Sequence, residues 1–437
     1  MTTTTLARRA LVPAVALVLG GCSGTGSVPT PSAGAGLQSS SVRSSTAGPF
    51  SKASPQTVKP TETVLYSFTG NPDGQYPDST LVEDAAGNFY GTTEYGGING
   101  DGSVFKLTPA GSGTYTESVL WSFSYYTDGG DPQGVIVDSS GALYGVTLDG
   151  AANDLGAVFK LTPGPSGYTE SILHTFQGNN DGEYPSGTLA IDSAGDLYGT
   201  TMSGGLDTAG TVYELANSGS AYTYSQIYFF QSYPDGASPQ AGLLLTSSGA
   251  LIGSASSGGK NNDGAIFQLT PAGSGSYTER LLYSFNGPKK DLGNPYSAIV
   301  ADASGNLYGS GYDGGAKYRG GVFKLTPSGG GYKEIVLYSF TTSRKNGYYP
   351  QSSLLLDQSG NIYGTTHSGG IDNVGIIFEL SPTGKKNYKE TVLESFENQF
   401  GGGYPLGGLI QDATGALYGT ASRGGSEGAG IVYKLTL

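Results

Sequence analysis

The sequence predicts an all-β fold: a seven-bladed β-propeller of four-stranded antiparallel blades, closed by an N-terminal strand that completes the last blade. Three observations lead there. A unit of about 55 residues recurs seven times over residues 61–437. Each unit holds four strand-like stretches separated by turn residues. The repeat region opens on a fourth strand and ends on a third.

The clearest mark of the repeat is Gly-x-Leu/Phe-Tyr-Gly-Thr-Thr, first met at residues 87–93. Its tyrosine column runs Tyr90, Tyr144, Tyr198, Ile252, Tyr308, Tyr363 and Tyr418, in steps of 54, 54, 54, 56, 55 and 55 residues. Such a period belongs to solenoids and propellers. Composition agrees, because 74 Gly and 31 Tyr in 437 residues suit short strands and tight turns. No long stretch carries apolar residues at helical spacing.

The third unit shows the four strands. Residues 184–192 form the first (a), 196–201 the second (b), 211–215 the third (c) and 222–230 the fourth (d). The a strand is apolar at successive positions, as in Leu354-Leu355-Leu356, which marks a strand buried on both faces. Small residues precede that run in six units (Thr80, Thr188, Gly242, Ala298, Ser353 and Gly408), as crowding about an axis requires. The d strand alternates, as in Glu117-Ser118-Val119-Leu120-Trp121, which suits an outer edge. The first strand, Thr63-Val64-Leu65-Tyr66-Ser67-Phe68, is of d type; the last, Ile431-Val432-Tyr433-Lys434-Leu435, is of c type. Pairing the two closes the ring and hides two free edges.

The run Gly-Asn/Ala-Leu-Tyr-Gly-Thr-Thr, followed by Gly-Gly and Gly-x-Val-Phe-Lys-Leu-Thr-Pro, resembles the GloVer tandem repeat of exported bacterial proteins with variable anchors. Leu143-Tyr144-Gly145 and Val158-Phe159-Lys160-Leu161-Thr162-Pro163 show it well, and the match covers residues 61–437. The fourth unit departs: Leu251-Ile252-Gly253-Ser254 replaces the tyrosine motif and Thr246 replaces the Asp of the a–b turn. The resemblance implies export and architecture, not an activity.

Residues 1–21 read as a lipoprotein-type signal peptide. Arg8 and Arg9 precede an apolar run over residues 10–19, too short to span a bilayer. Cys22, the one cysteine of the chain, follows Leu19-Gly20-Gly21 and is the expected lipidation site. It leaves no intramolecular disulfide. Residues 22–60, rich in Ser, Thr, Pro and Gly, read as a disordered tether spanning roughly 35 Å. The expected location is the cell envelope, with the lipid at Cys22 holding a monomer to the outer membrane or to the outer face of the cytoplasmic membrane.

A net charge of −13 excludes nucleic acid as a partner. Only His174 and His367 are present, which excludes multi-histidine metal sites, and no motif demands a cofactor. His174 falls where other units carry Tyr66, Trp121 and Tyr283, so it reads as a packing residue. The a–b turns, as in Asp84-Ala85-Ala86-Gly87, read as structural; one carboxylate per turn is too few for calcium.

The d–a and b–c loops share the opposite face and vary more. Tyr126, Asp128, Asn180, Asp181, Asp313, Tyr318, Arg319, Arg344 and His367 are the candidate ligand residues there. Aromatic faces cover sugar rings or peptide side chains while amides and charges pair with polar groups. The expected function is a binding or interaction scaffold for a glycan, peptide or protein. Two alternatives stay open. One is a polysaccharide hydrolase or lyase using loop-face Tyr and Arg, or a carboxylate pair such as Asp313 with Asp372 or Glu427. The other is a structural or adhesion component without a small ligand. Repetition without a catalytic insertion leans away from an enzyme.

Overall fold

The computed structural model describes residues 59–437, except 288–290, 342, 344, 385–386 and 398–400. Cys22, the apolar run before it, the tether up to residue 58, and Arg344 lie outside the described residues. Seven four-stranded antiparallel sheets form the blades of a propeller. In unit 3 the strands Glu183–Ile191, Leu197–Ser203, Thr211–Asn217 and Tyr222–Phe229 pair in chain order, the a, b, c and d strands of the sequence reading. Thr61–Ser67 pairs with Ile431–Thr436, in register from Thr61 opposite Thr436 to Ser67 opposite Ile431. The outer strand of blade 7 therefore comes from the other end of the repeat region, as expected.

The tyrosine motif has a steric cause. In each b strand its Gly lies opposite the c-strand aromatic, as Gly91 opposite Phe105 and Gly364 opposite Phe378. A Cβ at Gly91, Gly145, Gly253, Gly309 or Gly364 would sit 2.4–2.7 Å from that ring, well inside contact distance. The ring lies flat over bare backbone and leaves its edge for the neighbouring blade. There the Phe that ends each d strand meets it: Phe68 with Phe105, Phe123 with Phe159, Phe176 with Tyr213, Phe230 with Phe267, Phe285 with Phe323, Phe340 with Phe378 and Phe396 with Tyr433. All seven centroid separations fall between 4.9 and 5.3 Å, within the range of favourable edge contacts.

The motif tyrosine ties b strand to turn. Its hydroxyl donates to the turn Asp at 2.9 Å for Tyr90 to Asp84, 3.0 Å for Tyr144 to Asp138 and 2.9 Å for Tyr418 to Asp412. The other oxygen of Asp84 accepts the backbone N–H groups of Ala86 and Asn88. The departure of unit 4 is thereby explained. Tyr and Asp are lost together, leaving Ile252 buried and the Thr246 hydroxyl to accept the Ala250 N–H at 3.0 Å.

One expectation needs correction. The a strands read as continuous, but only Gly130–Val137 and Glu183–Ile191 are, and both carry a register shift. Elsewhere the ladder is broken in two: an early contact, as at Gln75–Pro77, Leu292–Gly293 and Gly347–Tyr348, and a late pair, as at Leu244–Leu245, Leu355–Leu356 and Ile410–Gln411. A proline early in each strand has no N–H for the ladder. The residue before it, Tyr76, Asp131, Tyr184, Ser238, Asn294, Tyr349 or Tyr404, adopts φ between 50° and 60°. This left-handed backbone costs roughly 1–2 kcal/mol per residue. It aims each N–H out of its own blade, at a b–c loop carbonyl of the preceding one: Tyr76 to Ala429, Asp131 to Asp101, Tyr184 to Leu155, Ser238 to Ala209, Asn294 to Asp263, Tyr349 to Arg319 and Tyr404 to Val374, at 2.6–3.2 Å. The strand break is the stitch between blades.

Two outcomes test this packing. Gly364→Ala should destabilise the protein in urea by about 1–3 kcal/mol through overpacking against Phe378, whereas Gly384→Ala, with open space about it, should stay within about 0.5 kcal/mol. Deleting residues 61–68 should free the outer edge of Ile431–Thr436 and cause concentration-dependent association, read by light scattering.

Candidate binding face

The loop face has an inner rim and an outer rim. The inner rim is built from the pre-proline residues and the residues that follow the Thr-Thr of each b strand. Over units 5, 6, 7 and 1 the rim gathers aromatic and basic side chains from these and adjoining positions. Tyr312 stacks on Tyr349 at 4.6 Å, with its edge side against Tyr296. Arg319 lies 4.8 Å from the Tyr348 ring and 5.2 Å from the Tyr349 ring, and donates to the Tyr349 hydroxyl at 2.6 Å. His367 faces Tyr404 at 5.1 Å, and its Nδ1 lies 2.8 Å from the Ser368 hydroxyl. Arg423 lies 3.8 Å over Tyr76, which meets Tyr95 edge-on. Burial pushes the His367 pKa down, so its ring is neutral at pH 7.

The outer rim carries exposed apolar side chains. Ile98, Leu206 and Ile371 follow the paired glycines of b–c loops; Tyr318 lies in another; Tyr126 and Tyr233 lie in d–a loops. All six are 52–72% exposed. The backbone beneath is held: the Ile98 and Ile371 N–H groups donate to the d-strand hydroxyls of Ser122 and Ser395 at 3.2 and 2.8 Å.

The predicted site residues therefore divide. Arg319 and His367 join the inner rim. Tyr126 and Tyr318 are exposed on the outer rim, and Asn180 is exposed in the short helical turn Asn179–Asp181. Asp128 and Asp181 instead serve the scaffold. Asp128 accepts from Trp121 Nε1 at 2.8 Å and the Ser124 N–H at 2.6 Å. Asp181 accepts the Gln177 N–H at 2.8 Å and lies 3.1 Å from His174 Nε2. His174 also stacks on Tyr224 at 3.9 Å, the packing role read from its column. Asp313 is half-buried and its pKa is raised by burial and then by Asp263, whereas Asp372 and Glu427 are exposed in other loops. Sequence reasoning missed Ile98, Leu206 and Ile371. The available signal was a large aliphatic side chain where the same loop position elsewhere holds Lys260, Ala316 or Ser426.

A concavity lies elsewhere. A cavity of ≈ 480 Å³ lies on the axis, walled by a-strand residues such as Leu243, Ile299, Leu354 and Ile410. None of the eight loop-face candidates among the described residues lines it. Among the described residues no group of three or more His, Cys, Asp and Glu is placed to hold a metal ion.

The clasp of Asp128 and Asp181 recurs around the outside. Tyr66 donates to Asp73 at 2.7 Å, Tyr228 to Asp235 at 2.5 Å and Tyr283 to Asp291 at 2.6 Å. A d-strand Glu of the next blade packs against each of several clasps, and one oxygen of Glu62, Glu117, Glu170, Glu279, Glu334 and Glu390 is buried without a hydrogen bond. Burial first, and the nearby carboxylate second, push the Glu117, Glu170 and Glu279 pKa values up to about 7. Glu62 reaches about 8 and Glu334 about 9. The folded chain thus binds protons that the unfolded chain releases near pH 4.5, so these groups lower stability as pH rises from there to about 9. The turn residues Asp84, Asp138, Asp302 and Asp412 act oppositely. Hydrogen bonds to each carboxylate outweigh burial and lower its pKa, so their contribution is lost as pH falls below 4. Melting temperature should peak on the acid side of neutrality, and Glu334→Gln should raise it at pH 9 far more than at pH 5 in calorimetric scans.

The fold is similar to solved propellers at low identity. The extracellular domain of a candidate one-component system, BT4673, from B. thetaiotaomicron matches with a TM-score of 0.51 and 13% identity, over 84% of this chain and 40% of that one. A second structure of that extracellular domain, described as part of a hybrid two-component system, matches with a TM-score of 0.52 and 12% identity, over 85% and 39%. This chain thus spans about two fifths of their length. A candidate 6-phosphogluconolactonase from Bacteroides uniformis matches with a TM-score of 0.50 and 13% identity, over 75% and 86%. Among curated proteins no sequence matches. The model of the Gloeobacter/Verrucomicrobia repeat matches residues 38–169, 112–287 and 244–437. With all seven units inside those spans, the chain belongs to the Gloeobacter/Verrucomicrobia repeat family.

Proposed function

We propose that this protein is an exported, lipid-anchored, non-catalytic scaffold whose loop face docks a protein or an extended peptide. One observation carries the reading: among the described residues, the six large apolar side chains that are more than half exposed, Ile98, Tyr126, Leu206, Tyr233, Tyr318 and Ile371, all stand on that face. Exposed apolar groups gathered on one side of a molecule mark an interaction surface. Tyr and Arg anchors inside an apolar and polar rim are the composition of protein interfaces. Branched aliphatic side chains favour peptide over glycan, since sugar rings are met by flat aromatic faces. The pinned N–H groups of Ile98 and Ile371 support a pre-formed surface that loses little entropy on binding.

Among the described residues of that face, titratable candidates are already engaged. His367 is bonded to Ser368, and Asp128 and Asp181 are occupied in clasps. The export and anchoring part of the reading rests on the charged, apolar and Leu-Gly-Gly-Cys segments of residues 1–22.

Selection of a displayed random-peptide library on the purified protein tests the docking face. Selected peptides should lose at least tenfold in affinity on the Ile98→Asp, Ile371→Asp double variant, with melting unchanged. Binding indifferent to those substitutions overturns the proposal, and a glycan array whose hits depend on Tyr76 and Tyr349 would replace peptide by sugar. For the anchor, Cys22→Ser should move the protein from the membrane pellet to the soluble fraction; a wild-type protein already soluble contradicts it.

A further inference from the structure

The axial cavity belongs to neither the loop face nor the clasps. Its ≈ 480 Å³ falls within the roughly 300–1,000 Å³ of small-molecule sites. Thr188, Gly242 and Ala298 line its inner end, each four residues before the a–b turn. Glu83, Leu356 and Gln411, the last residues before their turns, line its outer end. Four strand residues span about 10 Å. The bore therefore runs toward the a–b turn face, opposite the docking face.

Its chemistry is uneven along that length. The wall between the ends is aliphatic, from residues such as Leu244, Val300 and Leu355. At the inner end the Thr188 hydroxyl is buried without a hydrogen-bond partner, a group whose desolvation costs about 1–3 kcal/mol if left unmet. At the outer end stands the Glu83 carboxyl, on which the Asp84 and Asp412 carboxylates both act. Lys434 lies 3.8 Å from Asp412 and answers part of that charge. Among the described residues no Lys or Arg lines the cavity.

We propose that the bore binds an elongated apolar molecule, about 10 Å long and polar at both ends. An oxygen at its inner end meets the Thr188 hydroxyl, turned about Cα–Cβ to face the bore, aliphatic carbon fills the middle, and a cation sits at the Glu83 lip. Anions are excluded by the same carboxylates.

Competition against 1-N-phenylnaphthylamine fluorescence on the full chain tests this, with 8-amino-1-octanol, octylamine and octanoate as competitors. One saturable site is expected, with the amino alcohol at least threefold tighter than octylamine and octanoate at least tenfold weaker than octylamine. Thr188→Val, close to isosteric, should erase the preference for the amino alcohol. Glu83→Lys, at an exposed position, should erase or reverse the preference for the cation. Absence of saturable displacement, equal affinities for the three competitors, or preferences unchanged by both substitutions would overturn the proposal. The readout is independent of peptide docking, which neither variant should alter.

Discussion

An aromatic ring laid over a bare backbone glycine is the contact on which the propeller rests. Within a blade it lets the c strand approach the b strand without a Cβ between them, as at Gly309 and Phe323. Between blades it leaves the ring edge free for the Phe that ends the previous d strand. One residue pair thus sets both the internal packing of a wedge and the spacing of its neighbour. Repeated seven times, a fixed spacing closes a circle, and the pairing of Thr61–Ser67 with Ile431–Thr436 joins its ends.

The second constraint is polar. Every blade interface also holds the N–H of a left-handed, pre-proline residue, aimed at the preceding blade. The strain at Tyr76 or Tyr349 is confined to the loop face, where those same side chains form the inner rim. Stitching the ring and displaying the rim are two results of one backbone conformation.

Much of the architecture was legible in the sequence because repetition averages out local ambiguity. The tyrosine column, the apolar a strands and the d-type opening strand each reported a feature that packing enforces in every unit. The break in the a strands was missed although its proline column, Pro77 to Pro405, stands in every unit; only the positive φ before it, as at Tyr404 or Asn294, leaves no mark on residue type. The candidate site was read less well. Asp128 and Asp181 look like loop carboxylates until their partners Trp121 and His174, seven residues earlier, are seen to fold back on them. Arg319 was found, but Tyr348 and Tyr349, which hold it, come from the next blade. The exposed Ile98 and Ile371 stood in plain sequence, yet exposure is a property of the folded loop.

The direction of the closing strand carries a last consequence. Each d strand runs from the c–d turn to the d–a loop, so Thr61–Ser67, the d strand of blade 7, starts at the turn end of the ring and finishes at the loop end. A leash attached ahead of Thr61 enters from beneath the disc, at its circumference. If the proposed anchor holds that leash, the ornamented side looks away from the anchoring surface and the turn side looks back toward it.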